Sequence, residues 1–272
     1  MKKVTIFSMT TALILLLIIS FQGSADNITD NSQIVVLTYH QLTTEQPESS
    51  AVLNIDDFAS QMEYLYQNNY RTLSLQELKK YHQQGSFPAN AVLITFDDGY
   101  RTFYTKALPV LEKYNLQAVV FPIVSHLSKI TPRKLWSEPL YFQDLRDMET
   151  NSELVEIGSH TYDLHHYRDE QPVLLPKEKE TPTEYIARIR KDLQVSKELL
   201  ELQLDKNIIA LSWPYGRYNE TSQKIAKTIG FKLLFTTESR PFTTEDKLTE
   251  IPRYSVSEGE LDYFKSLLED LE

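Results

Sequence analysis

Two acidic residues, Asp97 and Asp98, stand side by side directly after the apolar run Ala91-Val92-Leu93-Ile94-Thr95-Phe96 and before Gly99. Such a run reads as a buried parallel strand. Two unpaired carboxylates at its end are costly to desolvate, so a cation or a set of hydrogen bonds is expected beside them. Two other apolar runs end on histidine. Ile34-Val35-Val36-Leu37-Thr38-Tyr39 leads to His40, and Leu154-Val155-Glu156-Ile157-Gly158-Ser159 leads to His160, followed by Thr161-Tyr162-Asp163-Leu164-His165-His166. If these strands are parallel, their carboxyl ends collect at one face and distant residues share a pocket. One carboxylate and two imidazoles suit Zn²⁺, or a similar divalent ion such as Co²⁺ or Ni²⁺, and leave positions open for water and substrate. In that set one histidine is His160 and the other is His165 or His166. An isolated Asp-Asp-Gly is more often a surface turn, and a lone histidine more often structural. The three strand ends taken together favour chemistry.

The elements that must position these residues alternate along the chain. Asn54 or Asp56 is placed to cap a helix carrying Phe58, Met62, Leu65 and Tyr66. Thr72 to Leu75 reads as a short strand, and Ser74 with Glu77 has the spacing of a capping box for a helix that Gly85 closes. A helix over 102–114 should kink or break at Pro109. Further strands are expected over 118–124, 154–160, 208–213 and 232–236, and a short extended piece over 251–256. Helices are expected over 140–148, 183–204, 221–229 and 258–271. The long one has Tyr185, Ile186, Ile189, Leu193 and Leu200 as its apolar face. Residues 167–182, rich in proline and charge, read as an exposed insertion. Seven or eight strands alternating with helices, and no linker composition inside 34–272, define one α/β barrel domain.

The N-terminus has a different character. Lys2 and Lys3 precede an apolar stretch from Val4 to Phe21, and Gly23-Ser24-Ala25-Asp26 supplies the small residues of a cleavage site. Residues 1–25 are therefore an export segment, cleaved after Ala25 or kept as a membrane anchor, with cleavage favoured. Residues 26–33 form a polar linker. The chain has no cysteine, which excludes disulfides, lipid attachment through a cysteine and thiolate metal sites. A formal net charge of −10 argues against nucleic acid or anionic lipid bound through a basic patch. The expected form is a monomer, exported and either secreted or associated with the cell surface, through the wall or, if the N-terminal segment is kept, the membrane.

Thr95-Phe96-Asp97-Asp98-Gly99 resembles the first motif of the polysaccharide deacetylases, and Ser159-His160-Thr161 with a later histidine resembles their second. The resemblance implies a distorted (β/α) barrel, Asp97 as general base, and Asp98, His160 and His165 as metal ligands. In the common form the second histidine follows the first by four residues; here position 164 is leucine and His165 follows by five. The His-Thr-x-Asp-Leu-His run is similar to the branch acting on poly-β-1,6-N-acetyl-D-glucosamine. Leu37-Thr38-Tyr39-His40 resembles the family's last motif, which supplies the acid histidine. Its place before the Asp-Asp strand matches the circular permutation of that branch. Trp213-Pro214-Tyr215-Gly216 resembles the third motif, whose usual arginine is replaced by Ser212; Arg253 is the candidate to orient Asp97 instead.

The resemblance implies hydrolysis of an acetamide. Asp97 would take a proton from water, the Tyr215 backbone N–H would steady the oxyanion, and His40 would protonate the leaving amine. Tyr39, Trp213 and Tyr215 are candidates to stack on sugar faces. Rival substrates within the family are peptidoglycan, chitin and acetylated xylan. A rival of another class is an inactive wall-associated carbohydrate-binding protein.

Overall fold

The computed structural model of the chain describes residues 31–47, 49–128, 137–256 and 261–269. The expected export segment and linker up to residue 30, and the ends of the last expected helix, lie outside them. Among the described residues no helix is long and apolar enough to cross a membrane.

Strand Gln33–Tyr39 runs parallel to Ala91–Asp98, with Val35 opposite Val92 and Tyr39 opposite Phe96. Ala91–Asp98 is followed by Ala118–Pro122, where Asp97 pairs with Phe121, and then by Val155–Ile157. On its other side Gln33–Tyr39 meets Tyr254–Ser255 in parallel and Phe242–Thr243 in antiparallel fashion, and Arg71–Thr72 adds to the start of Ala91–Asp98. These make one seven-stranded sheet. Ala210–Ser212 and Leu233–Phe235 form a separate parallel pair. Single bridges, Ser159 to Leu211 and Phe235 to Ile251, link that pair to its neighbours. The circuit expected of a distorted barrel is thus an arc of strands joined through bridges rather than an unbroken ladder.

Strand alternation sorts the core into two shells. Val35, Leu37, Tyr39, Val92, Ile94 and Phe96 pack outward with Phe58, Met62 and Leu65 of helix Ile55–Gln67. Ile34, Val36, Leu93, Phe121, Ala210 and Phe235 form the inner shell that the strands enclose. Gly158 is required on that inner side, because a Cβ there would lie 2.3 Å from the Phe121 ring.

Most helices start and stop where their sequence signals stand. Asn54 accepts from the Asp56 N–H, Ser74 and Glu77 form a capping box, and Gly85 ends helix Leu75–Gln84 in the left-handed conformation. The break foreseen at Pro109 is a π turn, Phe103–Ala107, running into helix Leu108–Tyr114; Leu108 N–H bonds to Phe103 O, and Pro109 has no N–H to continue the ladder. Three details differ from expectation. Tyr66 and Ile186 are exposed, each at the edge of its helix's apolar stripe. Residues 167–182 are only partly an exposed insertion. A hairpin of Tyr167–Arg168 and Gln171–Pro172 leads into buried Val173 and Leu174, held by Arg188 through the Val173 and Leu175 carbonyls.

Candidate active site

Strand parity decides what faces inward at the carboxyl end of the sheet. Thr95 and Asp97 continue the inner face of Ala91 and Leu93, and Thr38 and His40 continue that of Ile34 and Val36. Thr38 and Thr95 meet through their hydroxyls at 3.0 Å, and His40 follows the last pair, Tyr39 with Phe96. Ser212 lies on the same inner face two residues beyond Ala210.

Asp97 is buried and bound by a buried arginine. Arg253 Nη1 donates to Asp97 Oδ1 at 2.8 Å and Nη2 donates to Oδ2 at 2.7 Å. The remaining guanidinium N–H groups reach Thr95 Oγ1, Ser212 Oγ and the Thr236 carbonyl, so all five donors are used. The rings of Phe121 and Phe235 flank the cation at 5.9 and 5.7 Å. Ser212 Oγ also donates to Asp97 Oδ2 at 2.9 Å. Burial alone would raise the Asp97 carboxyl. The Arg253 cation outweighs that, with help from His160 and His40, and holds it well below the usual carboxylate range.

Asp98 caps the same strand with φ of +68°, followed by Gly99 at +72°. Non-glycine residues seldom take this conformation, and such strain collects at functional sites. The turn aims Asp98 Oδ1 at two imidazoles, with His165 Nε2 at 3.2 Å and His160 Nε2 at 3.4 Å. His160 Nδ1 lies 3.0 Å from the Ser212 carbonyl, which can only accept, so Nδ1 carries the proton and Nε2 presents a lone pair. Burial pushes the His160 imidazole down to about 4 against the pull of Asp97 and Asp98. His165 Nδ1 lies 3.3 Å from the Tyr215 hydroxyl, and the two rings stand 4.3 Å apart. Burial raises the Tyr215 phenol to about 12. Among the described residues, Asp98, His160 and His165 are the set able to hold a metal ion, their ligand atoms all lying within 4.8 Å of one another. Buried Asp98 Oδ1 has no hydrogen-bond donor. An acceptor without a donor, facing the Nε2 atoms of two imidazoles, fits a divalent cation with positions left open.

His165 is therefore in the cluster, and His166 lies outside it, lining a neighbouring cleft of about 510 Å³ with Tyr162 and Lys191. Tyr39 and Trp213 are corrections to the expected sugar platforms. Tyr39 is 1% exposed, stacked on Phe96 and hydrogen-bonded to Gln61, and Trp213 is wholly buried against Tyr218. Each precedes or follows an inward residue, His40 or Ser212, so alternation turns it to the outer shell. Tyr215, half-buried with φ of +56°, does reach the site. Sequence reading passed over Thr95 and Asp192. Thr95 carried a signal, since it stands two residues before Asp97 on the same face. Asp192, on the flank of a long helix, carried none.

The stretch 84–234 matches the family model described as polysaccharide deacetylase, and the chain belongs to that family. His40 and Arg253 lie outside the matched stretch. More particularly, the chain is 31% identical over 206 residues to the poly-beta-1,6-N-acetyl-D-glucosamine N-deacetylase of Staphylococcus aureus, covering 76% of this chain and 68% of that one. It is 28% identical over 246 residues to the Escherichia coli protein of the same name, covering 82% of this chain but only 36% of that one. The solved structure of a de-N-acetylase from Aggregatibacter actinomycetemcomitans superposes with a TM-score of 0.76 at 27% identity, over 87% of this chain and all of the other.

Proposed function

We propose that the chain is a metal-dependent hydrolase that removes N-acetyl groups from poly-β-1,6-N-acetyl-D-glucosamine and releases acetate. The observation that carries this reading is the juxtaposition of an Asp98, His160 and His165 cluster with a carboxylate, Asp97, locked by Arg253. The polymer is the one named for the Staphylococcus aureus and Escherichia coli relatives. Asp98, His160 and His165 would hold the ion, with Zn²⁺ preferred on donor chemistry. A bound divalent ion supplies charge that makes the attacking water's proton acidic and polarises the acetamide carbonyl.

Asp97 stays ionised at neutral pH and accepts that proton as the water oxygen bonds to the carbonyl carbon. Arg253 and Ser212 hold both carboxylate oxygens in place. The Tyr215 backbone N–H is the candidate donor to the developing oxyanion. His40, directly after the strand paired with that of Asp97, delivers a proton to the nitrogen as the C–N bond breaks, because an amide anion is too poor a leaving group. The products are acetate and a free amine on the polymer. Residues 34–272 act as the single catalytic domain. Export belongs to the same reading, since Lys2, Lys3 and the apolar stretch to Phe21 have the character of a signal segment.

Acetate release from purified poly-N-acetylglucosamine, measured beside chitin and peptidoglycan, tests the proposal. Preferential release from the β-1,6-linked polymer is expected. Release from chitin or peptidoglycan alone would replace the substrate, and binding without release from any of the three would make the chain a carbohydrate-binding protein.

A further inference from the structure

The six residues from His160 to His165 must hold two imidazoles at one Asp98 oxygen, although only His160 directly follows a strand bridge, that of Ser159 with Leu211. A loop this short keeps a fixed geometry only if its backbone groups are engaged elsewhere. Thr161 takes a φ of +69°, donates its N–H to Ser159 Oγ and accepts the Leu164 N–H on its own Oγ1. The Thr161 and Tyr162 carbonyls accept from Val124 and Ser125. Two further donors, the N–H groups of Tyr162 and Asp163, go to one side chain on a distant helix: Asp192 Oδ1 at 2.8 Å and Oδ2 at 2.9 Å.

We infer that Asp192 is the positioning residue of the metal loop, its carboxylate clamping two successive N–H groups midway between His160 and His165. One helical turn further on, Ser196 Oγ meets Ser159 Oγ at 3.0 Å, so the same helix face also fixes the group that holds the Thr161 N–H. A carboxylate in this place is poorly compensated. Arg188, the cation that acts on it, is already committed to Glu180 and to the Val173 and Leu175 carbonyls. Fold stability alone would be served as well by a neutral residue; two parallel acceptors are needed only where two adjacent donors must be held in register. The clamp also accounts for the five-residue histidine spacing, because it sets where the longer loop turns back toward Asp98. A group that orients a ligand in this way commonly changes metal affinity ten- to a hundredfold when altered.

This inference rests on the proposed metal reading, so its test has an arm independent of metal. The full chain is loaded with Co²⁺, and affinity and the visible d–d spectrum are compared for wild type, Asp192→Asn and Lys197→Met. Lys197 is a buried polar residue of the same helix that bonds Glu201 and Ile208, away from the loop. Asp192→Asn keeps shape but turns one acceptor into a donor facing an N–H. About a tenfold or larger loss of Co²⁺ affinity and an altered spectrum are expected for Asp192→Asn. Lys197→Met should lower the melting temperature and leave the spectrum unchanged. An unaltered affinity and spectrum in folded Asp192→Asn would overturn the inference. Amide hydrogen exchange of wild type is the independent arm, and it decides the matter if the variant does not fold. The Tyr162 and Asp163 amides should stay protected after chelation, and rapid exchange there would equally overturn the clamp. If the wild-type chain binds no Co²⁺ at all while those amides are protected, the metal reading fails and the clamp stands.

Discussion

Arg253 and Asp97, 156 residues apart in the chain, face each other through two parallel hydrogen bonds of 2.8 and 2.7 Å in the enclosed shell of the sheet. Breaking such a buried pair from one side leaves a charge without compensation, which costs about 3–5 kcal/mol. Arg253→Met should therefore lower unfolding free energy by that amount at neutral pH, read from denaturant melts, and should reduce acetate release by at least about a hundredfold. The pH dependence has a definite sign. In the wild type the folded Asp97 lies below its ordinary value, so its contribution is present above about pH 4 and is lost as pH falls through the folded value. In Arg253→Met the largest opposing charge is gone and burial, the largest influence on Asp97, outweighs the remaining help from His160, His40 and the Ser212 hydroxyl, so Asp97 is raised and that variant loses stability as pH rises. The difference between the two proteins should be large at pH 7 and shrink below about pH 4. A difference that grows on acidification would contradict the assignment.

Ser212 joins the two halves of the site. Its hydroxyl bridges Asp97 and Arg253, and its carbonyl fixes the His160 tautomer. Ser212→Ala removes only the hydroxyl, so a loss of about 1 kcal/mol in stability and retention of metal are expected. Turnover should fall while metal content by elemental analysis remains that of wild type.

His40 should matter in proportion to how poor the leaving group is. His40→Ala is expected to slow amide cleavage by about a hundred- to ten-thousandfold. Hydrolysis of an acetate ester with an activated phenol leaving group should slow much less. Equal losses on both substrates would remove His40 from the role of acid.

Trp213 tests whether an aromatic next to the site serves sugar or core. Being wholly buried, Trp213→Ala should cost about 3–5 kcal/mol. Tyr215→Phe, which keeps the ring beside His165 and removes its hydroxyl, should leave stability within about 1 kcal/mol of wild type and weaken the metal site. Thermal melts and metal titration separate the two effects.

Much of the site is legible in the sequence because charged groups terminate apolar runs, and an apolar run can hardly be anything but a strand here. Asp97, Asp98, His40 and His160 were found that way, and parallel topology then brings them to one end. Arg253 was legible only through the resemblance, as the candidate to orient Asp97 where Ser212 replaces the third motif's usual arginine. Tyr39 and Trp213 were misread because an aromatic suits core and sugar equally; the side is decided by strand parity, which sets Tyr39 opposite to His40. Asp192 left no trace, since its partners are backbone N–H groups that any sequence supplies. The joining of the strand pair Ala210–Ser212 and Leu233–Phe235 to its neighbours was not legible either, because it rests on single bridges at Ser159 and Phe235 that no residue pattern marks.

Removal and return of the metal tests the central claim most directly. The chain is stripped with chelator, assayed for acetate release on β-1,6-linked N-acetylglucosamine oligomers, and then titrated with Zn²⁺. Activity should vanish on stripping and return with one equivalent per chain in wild type, whereas Asp98→Ala and His160→Ala should recover none. Undiminished acetate release from the stripped wild type, or full recovery in both variants, would contradict it.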